Sequence, residues 1–266
     1  MTYYSPSLAV ICATYNRPNT LLRLLGLLND QRCVNFNGIN VSVVDDGSNR
    51  DMSETFPQYN FGFSYTYRNR SEDNTARVYS SRNIAAAMTT GDMVLQLDDD
   101  VEFHPYLLNQ LQSMAGMATE RHWVWCARVS NNSDVDILTD RSKDNWSRGK
   151  DGRWFDGRTF WQETHWQSTD SSAMLMPRVT WNAIGGYDME FDGAMGFADQ
   201  ELALRVQKLG KKPGDVKVYV APYFINKEDS ETGSWRMSMI EHRKRREDNW
   251  DLLVKKHPDF DRWVNV

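Results

Sequence analysis

Three short apolar runs in this chain each end in polar side chains of the kind that bind ligands or perform chemistry. The runs cover residues 8–13, 41–44 and 93–97. The first is followed by the pentapeptide TYNRP, the second by Asp45 and Asp46, and the third by Asp98, Asp99 and Asp100. If the runs are parallel strands, these side chains meet at the carboxyl edge of the sheet, where ligands bind in open α/β folds. Five carboxylates gathered there need a counter-charge, which predicts a bound divalent cation.

The expected ligand of this edge is a diphosphate that shares the cation. Mg²⁺ and Mn²⁺ take one or two protein carboxylates and complete their coordination with water and phosphate oxygens. The TYNRP loop lacks the glycines of a GxGxxG turn, which disfavours a dinucleotide cofactor and a nucleotidyltransferase with a glycine-rich first loop. No Walker A sequence occurs, so the chain is not a P-loop NTPase.

Amphipathic helical patterns alternate with the apolar runs and would position these residues. The runs LAVICA and VSVV are apolar at successive positions, which is typical of a parallel sheet covered by helices on both faces. Asn19 or Thr20 is expected to cap the first helix, and Asp45 to form an Asx turn. Helices are predicted over residues 20–29, 77–89, 199–209 and 234–256, and further strands over 173–176 and 216–220.

The overall composition predicts one full-sized globular domain. The 266 residues are 40% apolar and 25% charged, enough for a core of their own. A net charge of -5 argues against a general nucleic-acid binder. The N-terminal residues lack a basic region, and the apolar stretch 8–13 is too short for a signal sequence or a membrane span. We therefore expect a cytoplasmic protein without a transmembrane segment.

Residues 130–170 differ in character from the rest of the chain, being polar and punctuated by glycine. We interpret them as an excursion from the core. The excursion carries four tryptophans, Trp146, Trp154, Trp161 and Trp166. Trp154 and Trp161 are the first choices for contact with an acceptor, because flat apolar faces of sugar rings pack on indole.

Four segments of the chain, in order, resemble glycosyltransferases of the GT-A fold, family 2-like. They are CATYNRP, VVDDGS, SSRNIAAAMTTGDMVLQLDDDVEF and GGYDMEFDGAMGFADQELALRV, which together extend over about residues 8–210. The resemblance implies an α/β fold with a mostly parallel sheet flanked by helices. It divides the chain into a GT-A domain, 1–225, and a C-terminal helical extension, 226–266. Within that domain, residues 1–105 form a Rossmann-like nucleotide-sugar half and 106–225 an acceptor half.

The resemblance also implies which residues hold the donor. Tyr15 would stack on the nucleobase, and Asp46 would accept a hydrogen bond from the ring N–H of the base. Arg77 and Arg82 would face the nucleotide, since a guanidinium suits a diphosphate in charge and geometry. Asp98 or Asp99 would hold the ribose.

The metal and the catalytic base follow from the same resemblance. Asp100, the last acid of the D-x-D pattern, would bind Mn²⁺ or Mg²⁺ together with Asp98. Many relatives supply a histidine after the last strand, and His242 is the nearest candidate here. Asp199, in the segment GFADQEL, matches the family's catalytic base, and a place at a helix N-terminus would keep its carboxylate ionised. Ala198 stands where the family has Glu.

Taken together, the resemblance implies an inverting glycosyltransferase of the hexosyltransferase kind. It would move a sugar from a nucleotide diphosphate sugar, a UDP-sugar, to a hydroxyl group of a glycan or another acceptor. One alternative, supported by Ala198, is an inactive protein that binds nucleotide or carbohydrate. Another is a glycosyltransferase acting on modified bases of DNA, which the basic run 243–246 favours and the acidic net charge disfavours.

Overall fold

The computed structural model of the chain describes only part of it. The described residues are 5–49, 52–53, 61–70, 77–103, 105–118, 121–130, 162–163, 166, 169, 172–193, 196–212, 215–227, 239–260 and 263. The predictions for Trp146, Trp154 and Trp161 lie outside these residues. Trp166 is described, and it is a core residue whose Nε1 donates a hydrogen bond to the Trp263 carbonyl at 2.8 Å.

Strands and helices alternate through the described parts of the chain. The strands are β1 (Leu8–Thr14), β2 (Ile39–Asp45), β3 (Ser64–Asn69), β4 (Met93–Leu97), β5 (Val101–Glu102), β6 (Trp123–Ser130), β7 (Gln162–Glu163), β8 (Ala173–Pro177) and β9 (Lys217–Lys227). The α-helices are α1 (Pro18–Asn29), α2 (Val78–Ala87), α3 (Leu107–Met117), α4 (Arg178–Ile184), α5 (Ala198–Gln207) and α6 (Met239–Lys256). None of the helices in these parts is both long enough and apolar enough to cross a membrane.

The strands form a single mixed sheet in the order β3-β2-β1-β4-β8-β6-β9-β5, and β7 pairs with β9. β3, β2, β1 and β4 are parallel, β8 is antiparallel to both β4 and β6, and β9 is parallel to β6. The strand order reverses at β1, which has β2 on one side and β4 on the other. This is the switch point where an open sheet forms its ligand crevice, and the predicted α/β fold is confirmed.

Both faces of the parallel half are covered, as the uniformly apolar runs predict. Val10 and Cys12 of β1 belong to the core cluster that includes the α1 leucines. Ile11, which points to the opposite face, belongs to the cluster built with residues of α2 and α5. Alternate residues of one strand therefore join two cores, and β1 is buried on both sides.

The predicted start of α1 needs correction, and α2 has a cap that the sequence did not predict. α1 begins at Pro18 with Arg17 as its N-cap residue, rather than with a cap at Asn19 or Thr20. Proline suits the first position of a helix because its ring fixes φ and its missing N–H has no helical partner there. α2 begins at Val78, and the carboxylate of Asp192 accepts hydrogen bonds from its early N–H groups. A cap that comes from so far along the chain leaves no local signal in the sequence.

Candidate active site

The acidic triplet lies directly after β4 and meets the loop after β1, as the sheet model predicts. The Thr14 hydroxyl donates to Asp99 Oδ2 at 2.7 Å. Arg17 Nη1 donates to Asp99 Oδ1 at 3.1 Å and to Asp100 Oδ2 at 3.0 Å. Asp99 and Asp100 are both buried. Arg17 thus supplies counter-charge to two of the three carboxylates, a role that sequence reasoning missed although Arg17 stands inside the TYNRP motif.

Asp99 is the inward member of the triplet. Burial raises its pKa to about 6, against the opposing effects of Arg17 and Thr14. Its side chain is 7% exposed, whereas that of Asp98 is 16% exposed. Of the two residues predicted to hold a ribose, Asp98 is therefore the more accessible, and Asp99 fastens the loop to β1.

Arg82 of α2 connects the acidic triplet to the predicted base. Its Nη2 lies 2.5 Å from Asp98 Oδ1, and its Nη1 lies 3.9 Å from Asp199 Oδ1. The guanidinium carbon is 5.6 Å from the ring centroid of Tyr79 and 5.4 Å from that of Tyr187. Burial opposes the charge, but the surrounding tyrosines and carboxylates outweigh it and raise the pKa of Arg82 above its ordinary value. The side chain is therefore a fixed cation between the two acids.

Asp199 lies in the first turn of α5, where the helix dipole favours a carboxylate. The Tyr187 hydroxyl lies 3.3 Å from Asp199 Oδ1 and 2.6 Å from Gln96 Oε1. Burial raises the pKa of Tyr187, so the hydroxyl keeps its proton and can donate it. The Asp199 side chain remains 23% exposed, which leaves room for an approaching molecule. Sequence reasoning missed Tyr187, whose signal was its place in the GGYD segment.

The two acids after β2 have different local partners. Asp45 Oδ1 accepts from the Ser48 N–H at 2.8 Å and from its hydroxyl at 2.7 Å, a bond three residues on rather than the two of the predicted Asx turn. Asp46 Oδ2 accepts from the Arg77 N–H at 2.8 Å, and its Oδ1 lies 3.3 Å from the Ser81 hydroxyl. Asp46 therefore joins the end of β2 to the start of α2. Its recognition of a nucleobase, like the nucleotide contact of the Arg77 side chain, stays a prediction.

A cavity of about 220 Å³ opens beside these strand ends. Thr14, Arg17 and Asp45 are among the residues that line it. Asn16 also lines the cavity and has a φ of 52°. The Asn16 N–H donates to the Ser48 hydroxyl at 2.7 Å. Tyr15, the predicted stacking residue, is half-buried and stands in the chain between Thr14 and Asn16, which both line the cavity. The loop after β1 thus borders both the cavity and the acidic triplet.

Asp98 and Asp100 carry the carboxylate oxygens that a hard divalent cation prefers, and in the structure they are paired with Arg82 and Arg17. Within the described ranges, no three His, Cys, Asp or Glu side chains converge into a metal site made by protein alone. Mg²⁺ and Mn²⁺ do not need one, since they bind through one or two carboxylates together with phosphate oxygens. Asp98 and Asp100 offer such oxygens on one loop. His242 lies on α6, but its side chain is outside the described residues and the prediction for it is untested.

The model of the family described as Glycosyl transferase family 2 matches residues 9–178. The chain belongs to this family. No curated protein matches it. This family member has the fold of S. aureus TarS 1-349 in complex with UDP-GlcNAc (15% identity, TM-score 0.65), matching 93% of this chain and 65% of that one. It also has the fold of the mannosyltransferase PcManGT from Pyrobaculum calidifontis in complex with GDP-Man and Mn²⁺ (16% identity, TM-score 0.61), matching 96% of this chain and 65% of that one.

The family match and the site do not cover the same residues. The chain spans less than two thirds of the length of those two solved structures. The match contains the acidic triplet and Arg82 but ends before Tyr187 and Asp199. In this family member the fold nevertheless brings Asp199 within reach of Arg82, so the predicted base and the predicted donor residues share one edge of the sheet.

Proposed function

We propose that this chain is a glycosyltransferase that moves a sugar from a nucleotide diphosphate sugar, a UDP-sugar, to a hydroxyl acceptor with inversion. The observation that carries the proposal is Arg82, whose two terminal nitrogens lie beside Asp98 and Asp199. A donor diphosphate held near the triplet would place the anomeric carbon toward the exposed carboxylate of Asp199. Membership of Glycosyl transferase family 2 supports the reaction class.

Asp199 is the general base of the proposed reaction. Its carboxylate takes the proton of the acceptor hydroxyl while that oxygen forms a bond to the anomeric carbon. The bond from this carbon to the diphosphate oxygen breaks in the same displacement, and the diphosphate leaves with the electron pair. Because there is one displacement, the configuration at the anomeric carbon inverts.

Positive charge at the departing diphosphate comes from Arg82 of α2, from Arg17 at the start of α1 and from the proposed cation. Arg82 faces Asp98 and Arg17 faces Asp100, so both guanidinium groups border the expected position of the phosphates. Asp98 and Asp100 would hold Mn²⁺ or Mg²⁺, which when bound neutralises charge on the leaving group. That PcManGT was solved with GDP-Man and Mn²⁺ supports a metal of this kind.

The donor is tested first by thermal stabilisation, because a ligand that binds only the folded state raises the melting temperature. UDP, GDP, dTDP and CMP are compared with and without Mn²⁺. We expect stabilisation by UDP that requires Mn²⁺, followed by release of UDP when a UDP-sugar and acceptor glycans are supplied. No response to any of the four would overturn the donor site.

A binder without catalysis is the second candidate function, and Ala198 favours it. Ala198 is buried at the start of α5, so no side-chain carboxylate stands beside Asp199 at that position. Stabilisation by UDP together with the absence of sugar transfer over a panel of donors and acceptors would select this function. Measurable transfer would exclude it.

A further inference from the structure

The helix α6 packs on the turn that leads into Asp199. Arg245 Nη1 donates to the Gly193 carbonyl at 2.8 Å, and Asn249 Nδ2 donates to the Gly196 carbonyl at 3.1 Å. The guanidinium of Arg246 lies 5.5 Å from the ring centroid of Phe197. Side chains on two successive turns of α6 therefore contact Gly193, at the start of this turn, and Gly196 and Phe197, at its end.

The turn needs support because its backbone conformation is unusual. Gly193 and Gly196 have φ values of 92° and 107°, and Phe197 has a φ of 63°. A positive φ in an aromatic residue is an outlier that costs roughly 1–3 kcal/mol and persists only where surrounding contacts enforce it. Phe197 is also the N-cap residue of α5 and makes no side-chain capping bond. Contacts from outside the turn must therefore fix where α5 begins.

The position of Asp199 depends directly on this helix start. The Glu201 N–H donates to the Phe197 carbonyl at 2.8 Å, which closes the first turn of α5 around Asp199. Glu201 in turn is linked to the end of α6, since its Oε1 lies 3.1 Å from His257 Nε2. The start of α5 is thus held to α6 by two sets of contacts, one at Gly193, Gly196 and Phe197 and the other at Glu201.

We propose that Arg245 and Asn249 are positioning residues for the catalytic base, acting through the backbone of the 193–197 turn. The inference rests on the proposed function, because it takes Asp199 as the catalytic base. It assigns a task to α6, a helix that the family match does not reach. By fixing Gly193 and Gly196 they orient the start of α5 and aim Asp199 at the acceptor hydroxyl. They touch neither donor nor acceptor.

The test compares Arg245→Ala and Asn249→Ala with Arg245→Lys and with Lys244→Ala, an exposed position on the same helix that serves as the matched control. Misplacement of a reacting group by about 1 Å lowers the rate by roughly a hundredfold. We expect kcat to fall at least about tenfold in the two alanine variants. The donor KM and the UDP-induced rise in melting temperature should not change, Arg245→Lys should recover part of kcat, and Lys244→Ala should match the wild type.

A double-substitution cycle separates positioning from general damage. In the Asp199→Asn background, the two alanine substitutions should produce little further loss, because the group that they position is already absent. Equal losses in both backgrounds, or a kcat equal to that of Lys244→Ala, would overturn the proposal.

Failure of the proposed function would look different. The wild-type protein itself would then transfer no sugar from any donor. Amide hydrogen exchange over residues 196–203 would decide the inference in that case: faster exchange in Arg245→Ala and Asn249→Ala than in Lys244→Ala supports the restraint on α5, and equal exchange overturns it.

Discussion

At the scale of single residues, Arg82, Tyr187 and Asp199 form the centre of the proposed site. The Arg82 guanidinium reaches toward Asp199, and the Tyr187 hydroxyl lies near the same oxygen, Oδ1. Both neighbours therefore border Oδ1 and limit how the carboxylate can rotate. Sequence reasoning found Asp199 and Arg82 through their motifs, whereas Tyr187 required the fold, because only the fold shows that the GGYD turn reaches α5.

Asp199→Asn is expected to lower the rate of sugar transfer steeply and leave donor binding intact. The amide has the shape of the carboxylate and can still accept from Tyr187, but it cannot take a proton. General-base catalysis contributes about 10²–10⁴-fold, so kcat should fall by that factor. Single-turnover kinetics measure the chemical step, and UDP-dependent thermal stabilisation measures binding. Transfer at the wild-type rate would show that another group is the base, and Asp30→Asn, at an exposed position, controls for loss of a charge.

Tyr187→Phe is expected to show whether the Tyr187 hydroxyl orients Asp199, because the contact between the Tyr187 ring and Arg82 is kept. The substitution removes the hydroxyl that contacts Gln96 and Asp199 but keeps the ring over Arg82. Buried Gln96 loses a partner, which should lower the free energy of unfolding by about 1–3 kcal/mol. We expect kcat to fall roughly tenfold with the donor KM unchanged. Tyr106→Phe, at the start of α3, is the control; a Tyr187→Phe enzyme with the same kcat as this control would contradict the role.

At the scale of elements, sequence patterns identified strands inside the sheet. They missed an edge strand and a helix cap that a distant residue supplies. β1, β2 and β4 were predicted within two residues because buried parallel strands are apolar at successive positions. β3, with the sequence SYTYRN, was not predicted, since it alternates exposed and half-buried residues at the sheet edge. The start of α2 was predicted within one residue, but its cap was missed because Asp192 comes from the turn before α5.

Asp192→Ala is expected to weaken the start of α2, the helix that carries Arg82. The carboxylate accepts from the N–H groups of Tyr79 at 2.9 Å and of Ser80 at 3.2 Å, and from the Ser80 hydroxyl. Loss of a helix cap lowers the free energy of unfolding by about 1–2 kcal/mol. Asp192→Asn should cost less because it retains an acceptor oxygen. Urea unfolding of the two variants measures the difference, and equal stability of Asp192→Ala and the wild type would contradict capping.

At the scale of the whole molecule, one buried ion cluster joins α5 to the C-terminal helix. Glu201 is buried and accepts from Arg205 through both oxygens at 2.7 Å, and its Oε1 lies 3.1 Å from His257 Nε2. Arg205 also donates to the carbonyls of Ile184, the last residue of α4, and of Gly186. The cluster therefore connects three helices on the side of the sheet that carries Asp199. The predicted boundary at residue 226 stays a prediction, yet α6 is packed on the domain through these contacts.

This cluster predicts how stability depends on pH. Burial opposes ionisation of Glu201, but hydrogen bonds from His257 and Arg205 outweigh it and hold the pKa of Glu201 below the ordinary value of 4.5. A carboxyl group whose pKa is lowered by folding stabilises the protein fully above its unfolded pKa, and the contribution disappears as the pH falls through the folded pKa.

Glu201→Gln should therefore be destabilising near neutral pH, by about 3 kcal/mol, since it breaks a buried ion pair. The difference from the wild type should shrink as the pH falls below about 4.5, where the unfolded chain takes up the proton first, and should vanish below the lower folded pKa. Urea unfolding of both proteins at neutral and acidic pH measures this difference. A destabilisation that is the same at both pH values would show that packing, rather than the charge of Glu201, joins α5 to α6.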